Sequence, residues 1–313
     1  MSTYKALIGK YVRSVSSDPT AAYAEGELWY NTTSNTFKTA VSVFAWASGG
    51  AVGTARTTAG AGTQTANVIM GGQGPTSNVE EYNGSSWSEV NNMPYVASNL
   101  SGTGIQTAAM AFGGYPNVTT TALYDGTNWT TSGSLSTGRE LLAGLGIQTA
   151  AFGAGGYIRG PETYTTAVES FNGSSWTSAP SLNTGKYGRT GSGTTSASLV
   201  SGGSPNTNAT EEYNGSSWTT GNTRPYSAGS AMGSGTQTAA LNYGGNPSSG
   251  VQTTVEYDGT NWSSKPNMAT GRSMGGGSPA GTSSLALAST GSPGGTATEE
   301  FSGTSTIQTV TTS

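Results

Sequence analysis

Between Gly155 and Phe171 the chain reads GGYIRGPETYTTAVESF, which brings Tyr157, Arg159, Glu162 and Tyr164 within eight residues of one another. Aromatic faces beside a few charged hydrogen-bonding groups suit a sugar ring or the surface of a partner protein. Tyr115, Tyr95, Tyr187 and Tyr226 stand at comparable places elsewhere in the chain, and together these eight form the candidate ligand- or partner-binding set. The competing reading is that the tyrosines only cover loop backbone. Glu162 and Glu140 are the carboxyls available for glycoside hydrolysis, which needs two of them flanking the scissile bond.

Much other chemistry is excluded by composition. The 313 residues contain no His and no Cys. The commonest general base, the commonest transition-metal ligand, thiolate metal sites and disulfides are therefore all missing. No cofactor, no metal site and no enzymatic activity are expected. The net charge is −4 and no basic run occurs, which argues against nucleic acid or an anionic membrane as partner. No apolar stretch is long enough to span a bilayer, and the first residues lack the apolar core of a signal peptide. Only 9% of residues are charged, and Gly (49 copies), Ser, Thr and Asn dominate, as in strands joined by tight turns.

The elements that must position the candidate residues are written as a repeat. EEYNGSSW at 80–87 returns unchanged at 211–218, with ESFNGSSW at 169–176. Four copies carry a Gln, as in GTQTA (Gln64, Gln106, Gln148, Gln237; Thr195 and Ser283 hold the place in two), all but the last a glycine pair whose second member is eight residues on (Thr290–Gly291 in the last), and five an aromatic followed five residues later by Trp. Steps between successive Trp, from Trp46 to Trp262, are 41, 42, 47, 42 and 44 residues. That period with those marks predicts a β-propeller of six blades. Each blade reads as strands a to d: in the second copy SNLSGTG, QTAAMAFGG, TALYDG and NWTTSG. The Asn-Gly or Asp-Gly pair turns c into d, and Trp is expected as a buried wedge between blades. The sixth copy lacks its Trp, so SVFAWAS (42–48) is expected to supply its strand d, with the C-terminal STIQTVTTS as rival. The latter could instead lie beside the hairpin-like GELWYNTTSNTFKTAV (26–41). The chain thus divides into an N-terminal attachment segment, 1–41, and a propeller, 42–313.

Length variation is confined. From second glycine to aromatic the copies measure 10, 10, 15, 10, 12 and 10 residues, whereas Gln to second glycine is always eight. The b–c loops and d–a segments therefore vary while the a–b and c–d turns do not. In an up-and-down blade the first two emerge on one face, so that face is the candidate binding surface. Half of the sixteen acidic residues (Glu80, Glu81, Glu169, Glu211, Glu212, Glu256, Glu299, Glu300) precede the strand-c aromatic. They read as a solvated strand face. Cation binding is the alternative, but residues spread round a ring do not converge as calcium ligands do. Arg56, Arg139, Lys186 and Arg272 lead into strand a, either as structural donors to loop carbonyls or as a ring at the channel mouth.

The glycine pair, the strand-c aromatic, the strand-d Trp and the lead-ins NNMP, SLSTGR, SLNTGK and PNMATGR resemble the Kelch repeat over about residues 42–302. EGELWYNTTSNTFK followed by such repeats is similar to virion proteins of tailed, particularly marine, phages. The resemblance implies a tail-fibre or other exterior component, present in multiple copies. Its N-terminal segment would meet other virion proteins and its propeller face a host-surface glycan or a further virion protein. Alternatives are a cellular Kelch scaffold or lectin, and a polysaccharide hydrolase. A galactose-oxidase-like copper site needs His ligands and a Cys–Tyr crosslink, which this chain cannot supply.

Overall fold

The computed structural model describes residues 12–20, 27–246, 250–293 and 295–310. All regular structure among them is β. Five sheets have four antiparallel strands, one has five strands, and Tyr157–Ile158 pairs with Thr163–Tyr164 as a separate hairpin. The second copy shows the pattern: strand a is Ser101–Ile105, b is Ala108–Phe112, c is Thr121–Tyr124 and d is Trp129–Ser132, each paired with the next.

By contact the chain divides into Trp46–Phe301 and a smaller unit, Met1–Ala45 with Ser302–Ser313. Within the larger unit the inner strands follow one another in cyclic order. A Cβ added to Gly102 would meet Gly60, one on Gly144 would meet Gly102, and one on Gly191 would meet Gly144. The order continues from Gly233 to Thr190 and from Gly277 to Gly233. It closes where a Cβ on Gly60 would lie 2.4 Å from the Gly277 carbonyl. Backbones approaching this closely leave no room for side chains, hence the small residues of strand a.

The sixth sheet is built differently. Its order is Leu285–Ser289, Thr298–Thr309, then Thr36–Ser48, so the N-terminal strand holds the place of strand d. STIQTV is the continuation of strand c. The inner strand expected for this copy shrinks to a bridge between Gly276 and Ser289. Trp46 packs 5.2 Å from Phe301 and 5.1 Å from Tyr243.

Four devices repeat between successive sheets. The Gln side chain is a staple: Gln106 donates to the carbonyls of Asn67 and Tyr82, Gln148 to Ala109 and Tyr124, Gln237 to Ser198 and Tyr213. Trp lies opposite the strand-c aromatic of its own hairpin, as in Tyr82↔Trp87, with ring centroids 5.0 Å apart. Its indole donates to the first residue of strand c in the preceding sheet where that residue is Thr: Trp87 to Thr298, Trp176 to Thr121, Trp262 to Thr210. Where Val79 stands there instead, the Trp129 nitrogen has no partner. These rings sit between neighbouring sheets as expected, Trp176 4.9 Å from Phe112 and Trp46 5.1 Å from Tyr243, but most of them are only half-buried, Trp218 excepted.

Strand-c tyrosines form the third device. Tyr82 donates to Glu300 at 2.5 Å and Tyr257 to Glu212, each carboxylate belonging to the preceding sheet. The Tyr124 hydroxyl is buried near Glu81 without a hydrogen bond of its own among the described residues, and burial first, Glu81 second, pushes its pKa up. Where the preceding residue is Leu123, the strand-c aromatic is Phe171 and the two pack together.

The fourth corrects the reading of the acidic residues. Glu80, Glu169, Glu211 and Glu299 are buried, not solvated, and pair with Arg56 (2.6 Å), Arg139 (2.8 Å), Arg189 (2.8 Å) and Arg272 (2.5 Å). Strand c is covered on both faces, so its first two residues are buried together. A carboxylate there needs a cation, and removing one partner of such a pair costs about 3–5 kcal/mol. Arg56, Arg139 and Arg272 also donate to loop carbonyls; in the fourth copy the partner is Arg189, and Lys186 stays at the surface. Burial pulls the pKa of Arg139, Arg189 and Arg272 down while their carboxylates hold it up.

In the smaller unit Arg13–Val15 runs parallel to Leu28–Asn31, which forms a hairpin with the Thr36–Ser48 strand. Asp18 accepts from Trp29 (3.0 Å), Asn31 (2.6 Å) and Lys38 (2.7 Å). Those bonds, Lys38 foremost, hold its carboxyl down at about 2. The first eleven residues, part of the expected attachment segment, lie outside the described residues.

Candidate functional site

The glycine pair organises the variable face. Gly113 and Gly114 both have positive φ (67° and 115°), a conformation few side chains tolerate. The Gly113 N–H closes its own b–c loop on the Thr120 carbonyl, and the Gly114 N–H reaches the Arg139 carbonyl of the following d–a segment. The same two bonds recur in every copy, ending with Gly291 donating to Arg56. Bridges such as Ser98↔Tyr115, Glu140↔Tyr157 and Tyr187↔Ser204 add a second clasp. The b–c loops and d–a segments are thus interlocked. The a–b turns instead meet the c–d turns through the Gln staples.

Nearer the axis a belt of backbone hydrogen bonds joins the copies. Leu141 donates to Asn99 (2.8 Å), Gly188 to Leu141 (2.7 Å), Ser230 to Gly188 (2.6 Å), Met274 to Ser230 (3.0 Å) and Thr58 to Met274 (3.0 Å). Asn99, Leu141, Ser230 and Met274 all carry φ near +54° to +55°, which turns each N–H toward its neighbour. Among the described residues no such bond joins Asn99 to Thr57. A cleft of about 360 Å³ lies there, lined in part by Thr57, Gln73, Ser98, Asn99, Tyr115 and Arg159.

The long third b–c loop, with the Tyr157–Ile158 and Thr163–Tyr164 hairpin, gathers most of the candidate residues. Tyr157, Tyr164 and Tyr187 form a triangle with centroids 5.9, 5.7 and 5.2 Å apart. The Arg159 guanidinium lies 4.7 Å from the Tyr115 ring and 5.6 Å from that of Tyr157. Its Nε donates to Glu140 at 2.5 Å, and Glu140 also accepts from the Asn99 amide at 2.7 Å. Five of the eight residues, Tyr115, Tyr157, Arg159, Tyr164 and Tyr187, therefore share one patch.

The other three lie apart. Glu162 is exposed at the hairpin turn with φ +52°. Tyr95 buries its hydroxyl, which finds no partner, and burial pushes its pKa well up. Tyr226 donates to the Gly244 carbonyl at 3.1 Å and stacks on Arg224. The sequence reading missed Asn99 and Asn117, and it weighed Glu140 only as a hydrolytic carboxyl. Glu140 is fully buried beneath Arg159. Its lone acidic place in a d–a segment was the available signal.

No family model matches the chain, and no curated protein matches it. Among solved structures it is similar to the structure of YjhT, with a TM-score of 0.64 and 12% identity, covering 81% of this chain and 97% of that one. The fold is β-propeller-like. The expectation of no enzymatic activity is withdrawn, because the propeller fold carries enzymes as well as binding modules. At this identity the likeness concerns the fold alone.

Proposed function

We propose that the chain is a six-bladed, Kelch-like propeller that recognises a carbohydrate through its b–c and d–a face, as a tail-fibre or other exterior component of a tailed-phage particle. The observation that carries the recognition part is the Tyr157–Tyr164–Tyr187 triangle on the blade with the longest loop. Flat aromatic faces beside a fixed cation are the usual furniture of a saccharide site. The particle assignment rests on the resemblance of the leader and of the YNGSSW repeats. In this reading the N-terminal segment meets other virion proteins and the glycan belongs to the host surface. Mass spectrometry of purified particles, together with a glycan array probed with the full chain, tests both parts. Particles without the chain reject the virion assignment, and an array without signal rejects the recognition.

A propeller scaffold like that of YjhT also permits a second reading, in which the same face processes the saccharide it holds. Release of reducing ends from host polysaccharide, lost on changing residues of the Arg159 cleft, would establish it.

A further inference from the structure

We propose that the cleft between the first and second blades selects a saccharide bearing a carboxylate, with Arg159 as the residue that reads the acid. This rests on the carbohydrate reading above and names its substrate class. Every other arginine of the larger unit is spent on the fold: Arg56, Arg139, Arg189, Arg224 and Arg272 are all buried. Arg159 alone keeps its side chain 45% exposed.

It is also held still. Asn117 grips its backbone from both sides, accepting from the Arg159 N–H at 3.0 Å and donating to the Arg159 carbonyl at 2.9 Å. The buried Glu140 takes the Nε proton, and Tyr115 and Tyr157 flank the guanidinium. Only Nε is occupied by the protein. The two terminal nitrogens have no hydrogen-bond partner among the described residues and form the planar fork that matches a carboxylate.

Arg159 lines the one gap in the hydrogen-bonded belt among the described residues, between Asn99 and Thr57, where Ser98, Asn99 and Gln73 offer groups for sugar hydroxyls. The belt elsewhere is sealed by backbone bonds, so the fork and the gap coincide at one place. Glu140 is the carboxylate bonded to Arg159, and it is fully buried, so it does not compete for the terminal nitrogens.

The test is titration of the full chain with uronate oligosaccharides and with their methyl esters, which differ only in charge and one acceptor. Charge-assisted bidentate pairing predicts that the acid binds roughly tenfold tighter or more, and that the preference shrinks with added salt. Arg159→Met should erase the preference, and Arg159→Lys should restore part of it. Tyr164→Ala should weaken acid and ester alike. Equal binding of acid and ester by the unaltered chain overturns the inference while leaving carbohydrate recognition standing, and so does a preference that survives Arg159→Met. Binding of neither overturns both. The comparison on the unaltered chain needs no variant to fold.

Discussion

The indole nitrogen of Trp46 donates to the Thr254 hydroxyl across 3.0 Å, although 208 residues separate them. It repeats the bond from Trp262 to Thr210 one sheet earlier. A residue from near the start of the chain therefore completes a pattern otherwise written by the repeat itself.

Trp46→Ala removes this bond and the ring contacts with Phe301 and Tyr243 together. We expect a loss of about 3 kcal/mol, the low end for Trp→Ala because the ring is only half-buried. Thr254→Val should cost about 1 kcal/mol, the worth of one hydrogen bond. Urea melts of both variants and of the double variant check this. Additive losses would show that the two groups are not coupled.

Tyr82 and Glu300 set an alkaline limit. Burial first, and the bond to Glu300 second, push the Tyr82 hydroxyl up to about 12. Since the folded state holds this proton more tightly than the unfolded chain, the stability it contributes is whole below about pH 10. That contribution falls as pH rises from there toward 12. Tyr82→Phe should flatten that part of the pH–stability curve, measured by thermal melts between pH 9 and pH 12.

Arg224 and Asn242 occupy places that are apolar in other copies, held by Met93, Leu135, Leu182 and Met268 for the first and Ile69, Ala111 and Val200 for the second. Arg224 donates to Asn242 (3.3 Å) and to the Ala228 carbonyl (2.6 Å), but among the described residues no carboxylate pairs with it. Its Nε and the Asn242 Nδ2 are buried without partners. The double change Arg224→Met with Asn242→Val should therefore be neutral or stabilising by about 1–4 kcal/mol, whereas Asn242→Val alone should destabilise by about 3 kcal/mol. Denaturant midpoints decide between these signs.

Asn172 accepts from the backbone N–H groups of Ser174 (3.0 Å) and Ser175 (2.9 Å). In another copy Asp125 makes the same bonds to Thr127 (2.9 Å) and Asn128 (2.7 Å). Asn172→Asp should thus alter stability by less than about 0.5 kcal/mol. Asn172→Ala, which deletes the acceptor, should cost about 1 kcal/mol by the same melts.

The strands, their order and the split between constant and variable loops were legible because close-packed sheets demand the same spacing each time. Tyr157, Arg159 and Tyr164 were legible as a group because they share one loop. Ion pairs such as Arg56–Glu80 and Arg139–Glu169 were not. Their separations, 24 and 30 residues, follow loops of unequal length, and an acidic strand residue normally suggests water. The clue was the strand-c burial, two adjacent positions covered at once, which shows only when neighbouring sheets are in place. Arg224 also hid, because a cation in an apolar slot contradicts the pattern that reveals the slot.

One consequence follows from the sixth sheet taking Trp46 as its edge. A ribosome emits Trp46 long before Leu285–Ser289 and Phe301 exist, so one edge of that early strand must wait for its partner while five sheets assemble. Closing the sixth sheet is then a rendezvous between segments of the polypeptide made far apart in time. A chain halted before residue 285 would carry a naked β-edge, open to capture by another such chain.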